Sequence, residues 1–234
     1  MTKKTICITG YKGSIGQVLT AGLKDNYQLV LIDLPETNII DYEAFKNALK
    51  PQNIFAILHL AWNCKVENFS SSDSDPNNVV MANHVYQAAL DLNIPKVIMA
   101  SSVHTHDVYK IINEKLDVVI DLNTPPNPVS PYGQSKLQIE RTGKNMSKKG
   151  IQVVCIRFGG VCPKESYWSD IPYLGLSHPD CVNLVDLCIQ STIRNNYMII
   201  YGVSNNDKAF HVLNNEINWT PAVKATDFYN NNQR

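Results

Sequence analysis

No run of the 234 residues is long and apolar enough to cross a membrane as a helix. No sign of charge dominates either: 21 Lys and Arg meet 21 Asp and Glu, for a formal net charge of zero. That balance excludes the basic field with which proteins gather nucleic acid, and no Lys/Arg stripe replaces it. The opening "MTKKTICITG" lacks the apolar core and small-residue cleavage site of a secretory signal. Six cysteines stand at 7, 64, 155, 162, 181 and 188 with no C-x-x-C pair, which argues against a zinc or dithiol motif. Cys7 and Cys155 fall in predicted strands, and Cys181 and Cys188 share one face of a predicted helix; buried free thiols, rather than metal ligands, are expected. No internal repeat recurs. The expectation is a soluble, reduced, cytoplasmic protein with no nucleic-acid or membrane partner.

What is present is a core. Hydrophobic residues make up 44% of the chain, enough for one full core with a small appended lobe. Short apolar runs alternate with helical patterns. "KTICITG", "YQLVLID", "IFAILHLAW", "KVIMASS", "IQVVCIRFGG" and "YMIIYG" read as strands. Helices are predicted over 13–25, 41–49, 76–93, 131–149 and 178–195, with Asp75 capping the third ahead of Pro76, and Ser130 the fourth ahead of Pro131. The alternation predicts an α/β fold, a doubly wound parallel sheet with helices on both faces. Two polar segments, 63–77 and 112–130, follow strand ends where such folds place ligands; the serines at 70–74 read as solvated loop. The Asn-rich tail is predicted to be irregular, a short lobe over the sheet end. On this reading 1–160 form the core, and 161–234 a C-terminal substrate lobe interleaved with the last helix and strand.

"TGYKGSIG" places Gly10, Gly13 and Gly16 between the first strand and first helix, one residue longer in its first gap than G-x-G-x-x-G. Glycine permits the tight turn and the close approach of a pyrophosphate, which then sits on the helix N-terminus. The second strand ends in "LID", so Asp33 stands where a carboxylate accepts hydrogen bonds from an adenosine 2′-hydroxyl and repels a 2′-phosphate. Strand, glycine turn, helix, strand and acid together predict NAD rather than NADP. "SPYGQSK" then sets Tyr132 and Lys136 four residues apart, on one face of a helix. By itself that pair is common on surface helices.

"TGYKGSIG", "LHLAW", "ASS" and "YGQSK" occur in the order found in the short-chain dehydrogenase/reductase superfamily. The chain resembles its extended branch, the NAD-dependent epimerase/dehydratase family, over nearly its whole length. Through "ASSVHT", "YGQSKLQIE", "IRFGGVCP", "LGLSHPDCVNLV" and "GVSNNDKAF" it looks most like bacterial uronate dehydrogenases. The resemblance implies a Rossmann fold binding NAD, and a homo-oligomer. It makes Tyr132 the acid/base, Lys136 its electrostatic partner, Ser102 the holder of the reacting oxygen, and Asn78 an organiser of the active site and its water. The implied cofactor contacts are Gly10, Tyr11, Lys12, Gly13, Ser14, Ile15, Gly16, Asp33 and Leu34. Asn38 and Ile39 follow beside the adenine, with Leu60, Ala61, Trp62, Ser101, Tyr132, Lys136 and Phe158. Substrate would meet Ser102, Val103, His104, Tyr132 and Gly160.

A free tyrosine titrates near 10 and is a feeble base. A lysine ammonium and a positively charged nicotinamide both favour phenolate, and three pKa units are worth about 4 kcal/mol. Phenolate can then take a substrate hydroxyl proton as hydride leaves the same carbon. The implied activity is an NAD-dependent oxidoreductase acting on a sugar or sugar-derived, uronate-like alcohol. The alternatives are an epimerase or dehydratase of nucleotide sugars with recycled NAD, distinguished by the absence of net NADH, and a catalytically idle NAD-binding protein, distinguished by the absence of turnover.

Two departures bear on the substrate. Uronate dehydrogenases carry an asparagine between the catalytic serine and the next histidine, where this chain has Val103. They also carry an arginine for the sugar carboxylate in the loop after "RFGG"; here "CPKESYWSDIPYLG" holds no arginine and only Lys164 as a cation, beside Glu165. An ammonium does not replace a bidentate guanidinium. Hexuronates are therefore expected to be poor substrates. Arg157 is expected to pair locally, and His59, His84, His106, His178 and His211 to be structural or solvated. Trp62, Tyr167 and Trp168 read equally as sugar-pocket walls or as packing.

Overall fold

A computed structural model describes residues 2–63, 73–163 and 167–231. Six strands form one sheet: β1 (Thr5–Thr9), β2 (Gln28–Ile32), β3 (Ile54–His59), β4 (Lys96–Ser102), β5 (Gln152–Phe158) and β6 (Tyr197–Gly202). Every pairing is parallel, in the order β2-β1-β3-β4-β5-β6. The two-residue alternation of each strand sorts side chains to opposite faces. Ile6, Ile8, Ile98, Val154 and Ile156 face one core with α1 (Ser14–Leu23) and α7 (His178–Gln190). Cys7, Val97, Met99, Val153 and Cys155 face another with α2 (Tyr42–Leu49), α3 (Asn77–Asp91) and α5 (Pro131–Ser147). The chain departs to opposite sides at β1, with β2 on one flank and β3 on the other. Parallel sheets bind ligands beyond the carboxyl ends of their strands at such a reversal.

Three short helices lie outside the sequence prediction: α4 (Val108–Asn113), α6 (Ile171–Leu174) and α8 (Ala225–Asn231). Asp107 caps α4, its side chain accepting from the Lys110 N–H at 3.1 Å. Tertiary contacts hold α8 in the tail expected to be irregular: the buried Tyr229 hydroxyl donates to the Leu176 carbonyl and accepts from the Cys162 N–H, both at 2.9 Å. Helix α7, predicted to reach 195, ends at Gln190. The buried Lys96 ammonium donates to the carbonyls of Cys188 (2.9 Å), Ile189 (3.0 Å) and Ser191 (2.5 Å), satisfying groups left open at a helix C-terminus. At the start of α3, Asp75 still binds the Asn77 N–H at 2.9 Å, although the helix begins one residue later than expected.

Cys7, Cys155, Cys162, Cys181 and Cys188 are free and buried, and burial pushes the thiols of Cys162 and Cys188 up to about 12. Cys64 lies outside the described residues, as do the serines at 70–72, Lys164 and Glu165. Among the described residues no group of His, Cys, Asp and Glu is arranged to hold a metal ion, and no helix is long and apolar enough to cross a membrane.

Candidate active site

Strand β4 ends in two serines that face different partners. The Ser101 hydroxyl donates to Glu140 Oε1 at 2.5 Å. Glu140 also accepts from Arg157 Nε at 2.9 Å and Nη2 at 2.8 Å, a two-pronged pair at most 3% exposed on either side. Arg157 Nη1 donates to the Tyr201 hydroxyl at 2.9 Å and lies 3.2 Å from His106 Nε2. Arg157 is therefore a local partner, as its place at a strand end predicted. Replacing Glu140 by Gln leaves a guanidinium buried without its carboxylate. A loss of about 3–5 kcal/mol in stability is expected by urea unfolding; a loss below about 1 kcal/mol would contradict the role given to the pair.

Ser102 turns the other way, its Oγ accepting from the His104 N–H at 3.2 Å. Opposite stands the start of α5, where Ser130 accepts from the Gly133 N–H at 3.2 Å and Pro131 takes the first position. Gly133 is needed here, since a Cβ on it would lie 2.1 Å from the His104 carbonyl oxygen. The close approach presses Tyr132 towards the turn that follows Ser102. One helical turn on, the buried Lys136 ammonium donates to the Ala100 carbonyl at 2.7 Å and sits 5.6 Å from the Tyr132 ring centroid. It also lies 3.4 Å from the centroid of the Trp62 ring. The His104 ring packs edge-on to Tyr132 at 5.9 Å and tilted against Tyr109 at 5.0 Å. Burial lowers the His104 pKa to about 4, so this imidazole is neutral near neutral pH.

The glycine turn closes the other side. Gly10 has φ +73°, and a Cβ on it would fall 2.5 Å from the Ala61 nitrogen; one on Gly16 would fall 2.3 Å from the Gly10 carbonyl. Gly13 caps α1 without a side-chain bond, and no acid occupies the first turn. The helix N-terminus thus opens onto the cleft with donors available to a phosphate. Beside it, Asp33 accepts from the Lys12 N–H at 3.0 Å and the Leu34 N–H at 2.9 Å. Lys12 Nζ is held by the Leu34 carbonyl at 2.6 Å and by Glu36 at 2.7 Å. A glycine cradle that Cβ atoms would fill, a helix N-terminus and an adjacent carboxylate fit a dinucleotide.

One cleft of about 620 Å³ joins these parts. It gathers Gly10, Gly13, Ser14, Ile15, Gly16, Leu60 and Trp62 with Ser101, Ser102, Tyr132, Lys136 and Phe158. The proposed substrate contacts Val103, His104 and Gly160 line it too. Tyr11, Lys12, Asp33, Leu34, Asn38, Ile39 and Ala61 stand outside its wall. Asn38 Oδ1 accepts from the Ile40 N–H at 3.0 Å, and Ile39 is buried with its carbonyl 2.8 Å from His84 Nδ1. Asn78 is also outside the wall, buried, with Oδ1 accepting from the Asn63 N–H at 2.6 Å and Nδ2 donating to the Asn63 carbonyl at 2.9 Å. Both bonds tie down the backbone that leaves β3. Sequence reasoning missed Tyr109 and Asp170, which line the cleft from α4 and from the residue before α6. The one local signal was the helix start "SDIP".

The model of the NAD dependent epimerase/dehydratase family matches residues 6–165. An NAD-dependent glucose-6-phosphate dehydrogenase of Haloferax volcanii is 27% identical, over 88% of this chain and 87% of that protein. A uronate dehydrogenase of Pseudomonas syringae pv. tomato is 30% identical, over 86% of this chain and 74% of its own. The crystal structure of uronate dehydrogenase from Agrobacterium tumefaciens superposes with a TM-score of 0.80 at 22% identity, covering 99% of this chain and 89% of that one, and shows the shared fold. With the glycine cradle, Tyr132 and Lys136 all within the matched span, the chain is a member of the NAD-dependent epimerase/dehydratase family.

Proposed function

We propose that the protein is an NAD-dependent dehydrogenase of sugars, oxidising the hydroxyl at the anomeric carbon to a lactone. The observation that carries this reading is convergence: Ser102, Tyr132 and Lys136 line the same cleft onto which the glycine turn opens. The Ser102 hydroxyl holds the reacting oxygen, and Tyr132 as phenolate takes its proton. The Lys136 ammonium, held by the Ala100 carbonyl 5.6 Å from the Tyr132 ring centroid, favours that phenolate. NAD, when bound, supplies the hydride acceptor. Sugar dehydrogenases among the relatives support the substrate class. The buried free thiols suit a reducing, cytoplasmic setting.

Incubating the purified protein with NAD and a panel of aldoses, uronates, sugar phosphates and polyols tests the reading. Net NADH from at least one sugar is expected; NAD binding without NADH from any of them would refute it. Cofactor choice follows from Asp33. NAD is expected to bind better than NADP by at least about 2 kcal/mol, roughly 30-fold, because a 2′-phosphate would face that carboxylate. Asp33→Ser should narrow the gap, and calorimetry showing equal affinities for wild type would remove Asp33 from this role.

A further inference from the structure

The substrate half of the cleft carries an unassigned charge. Among the described residues that line the cleft, Lys136 is the one cation and Asp170 the one carboxylate. The Lys136 ammonium is committed to the Ala100 carbonyl and the Trp62 ring. His104 is kept neutral by burial. Rings run from the base outward, Tyr132 to His104 to Tyr109, and the negative charge of Asp170 reaches Tyr109, whose pKa is raised by burial and then by that carboxylate.

Asp170 also stands on a fixed frame. Its carbonyl accepts from the N–H groups of Tyr173 and Leu174, both at 2.9 Å. Leu174 is pinned in turn, because its carbonyl accepts from the Gly160 N–H at 2.9 Å and a Cβ on Gly159 would lie 2.0 Å from it. The Asp170 Oδ1 accepts from Ser169 at 3.1 Å, which leaves further lone pairs for a ligand. Next to it the Trp168 ring lies 3.5 Å from where a Gly160 Cβ would be, an aromatic face over the end of β5. A few fixed polar groups beside aromatic surface orient small ligands, and a carboxylate accepts from hydroxyls while repelling anions.

We propose that Asp170 is the group that orients the substrate, accepting hydrogen bonds from hydroxyls of an uncharged aldose and disfavouring sugars with a carboxylate or phosphate at that end. This rests on the dehydrogenase reading above and names its substrate class.

Steady-state kinetics on glucose, galactose and arabinose, against glucuronate, galacturonate and glucose 6-phosphate, provide the test with wild type and Asp170→Asn. Wild type is expected to favour the neutral sugars. The Asn variant should lose about 10- to 100-fold in kcat/KM on them, mostly through KM, and its preference over the anionic sugars should narrow at least tenfold. NADH affinity, measured by calorimetry, should not change. Wild-type preference for an anionic sugar, or an unchanged preference in the variant, overturns the role of Asp170 and leaves the dehydrogenase reading standing. No NADH from any sugar by wild type that binds NAD overturns both. Should the variant fail to fold, the wild-type preference alone decides.

Discussion

Tyr132→Phe is expected to lower turnover by about 10²- to 10⁴-fold while NAD affinity stays within a few-fold. The ring remains, and with it the packing against His104 at 5.9 Å and the position of Lys136 5.6 Å from its centroid. What disappears is the hydroxyl proposed above to take the substrate proton, in the cleft that Tyr132 and Ser102 both line. Loss confined to kcat, with KM and the melting temperature near wild type, is the signature of an interaction made in the transition state. A Phe variant that keeps a near-normal rate would show that Tyr132 is not the base.

Acid is expected to destabilise the fold steeply below about pH 6.5, the ordinary histidine range. Burial lowers four imidazoles: His59 and His211 to about 3, His104 and His106 to about 4. Nearby positive charge adds to burial, from Lys136 at His59 and from Arg157 at His106 and His211. Folded pKa values below the unfolded value mean that the unfolded chain binds more protons between about pH 6.5 and 4. Stability contributed by the neutral imidazoles is full above that window and is lost as pH falls through it. From pH 7 to pH 5 the loss amounts to about 1–2 kcal/mol per histidine, several kcal/mol in all. Urea midpoints measured across this range should fall together; a flat profile would mean that these rings are solvated or already protonated. His211 should contribute visibly, because neither ring nitrogen has a partner among the described residues.

The parts readable in advance were those encoded within a few residues. Ile6, Cys7 and Ile8 alternate faces, so the strand and its double burial follow from a two-residue period. Ser130 and Pro131 announce a helix, and with it the shared face of Tyr132 and Lys136. Gly10, Gly13 and Gly16 announce the turn, whose need for glycine is met by backbone approaches of 2.3 to 2.5 Å at Gly10 and Gly16. The parts not readable depend on residues far apart in the chain. Lys96 stops α7 from 92 to 95 positions away, and no local pattern in 178–195 encodes that end. Asp170 enters the cleft through the register of Gly160 with Gly175, which a search of that loop for arginine could not reveal. Arg157 was readable in part: its strand-end position suggested a local pair, but Glu140, Ser101 and Tyr201 as partners emerge only from the packed sheet.

The most direct test follows the hydrogen on the carbon that reacts. A sugar that the protein converts in the presence of NAD is supplied with deuterium at its anomeric carbon, and the cofactor and sugar product are isolated after partial conversion. Hydride transfer to NAD during oxidation predicts label in the NADH, unlabelled lactone, and a slower rate where that transfer limits turnover. Label retained in a rearranged sugar, without net NADH, would contradict the account and favour an epimerase that recycles its cofactor.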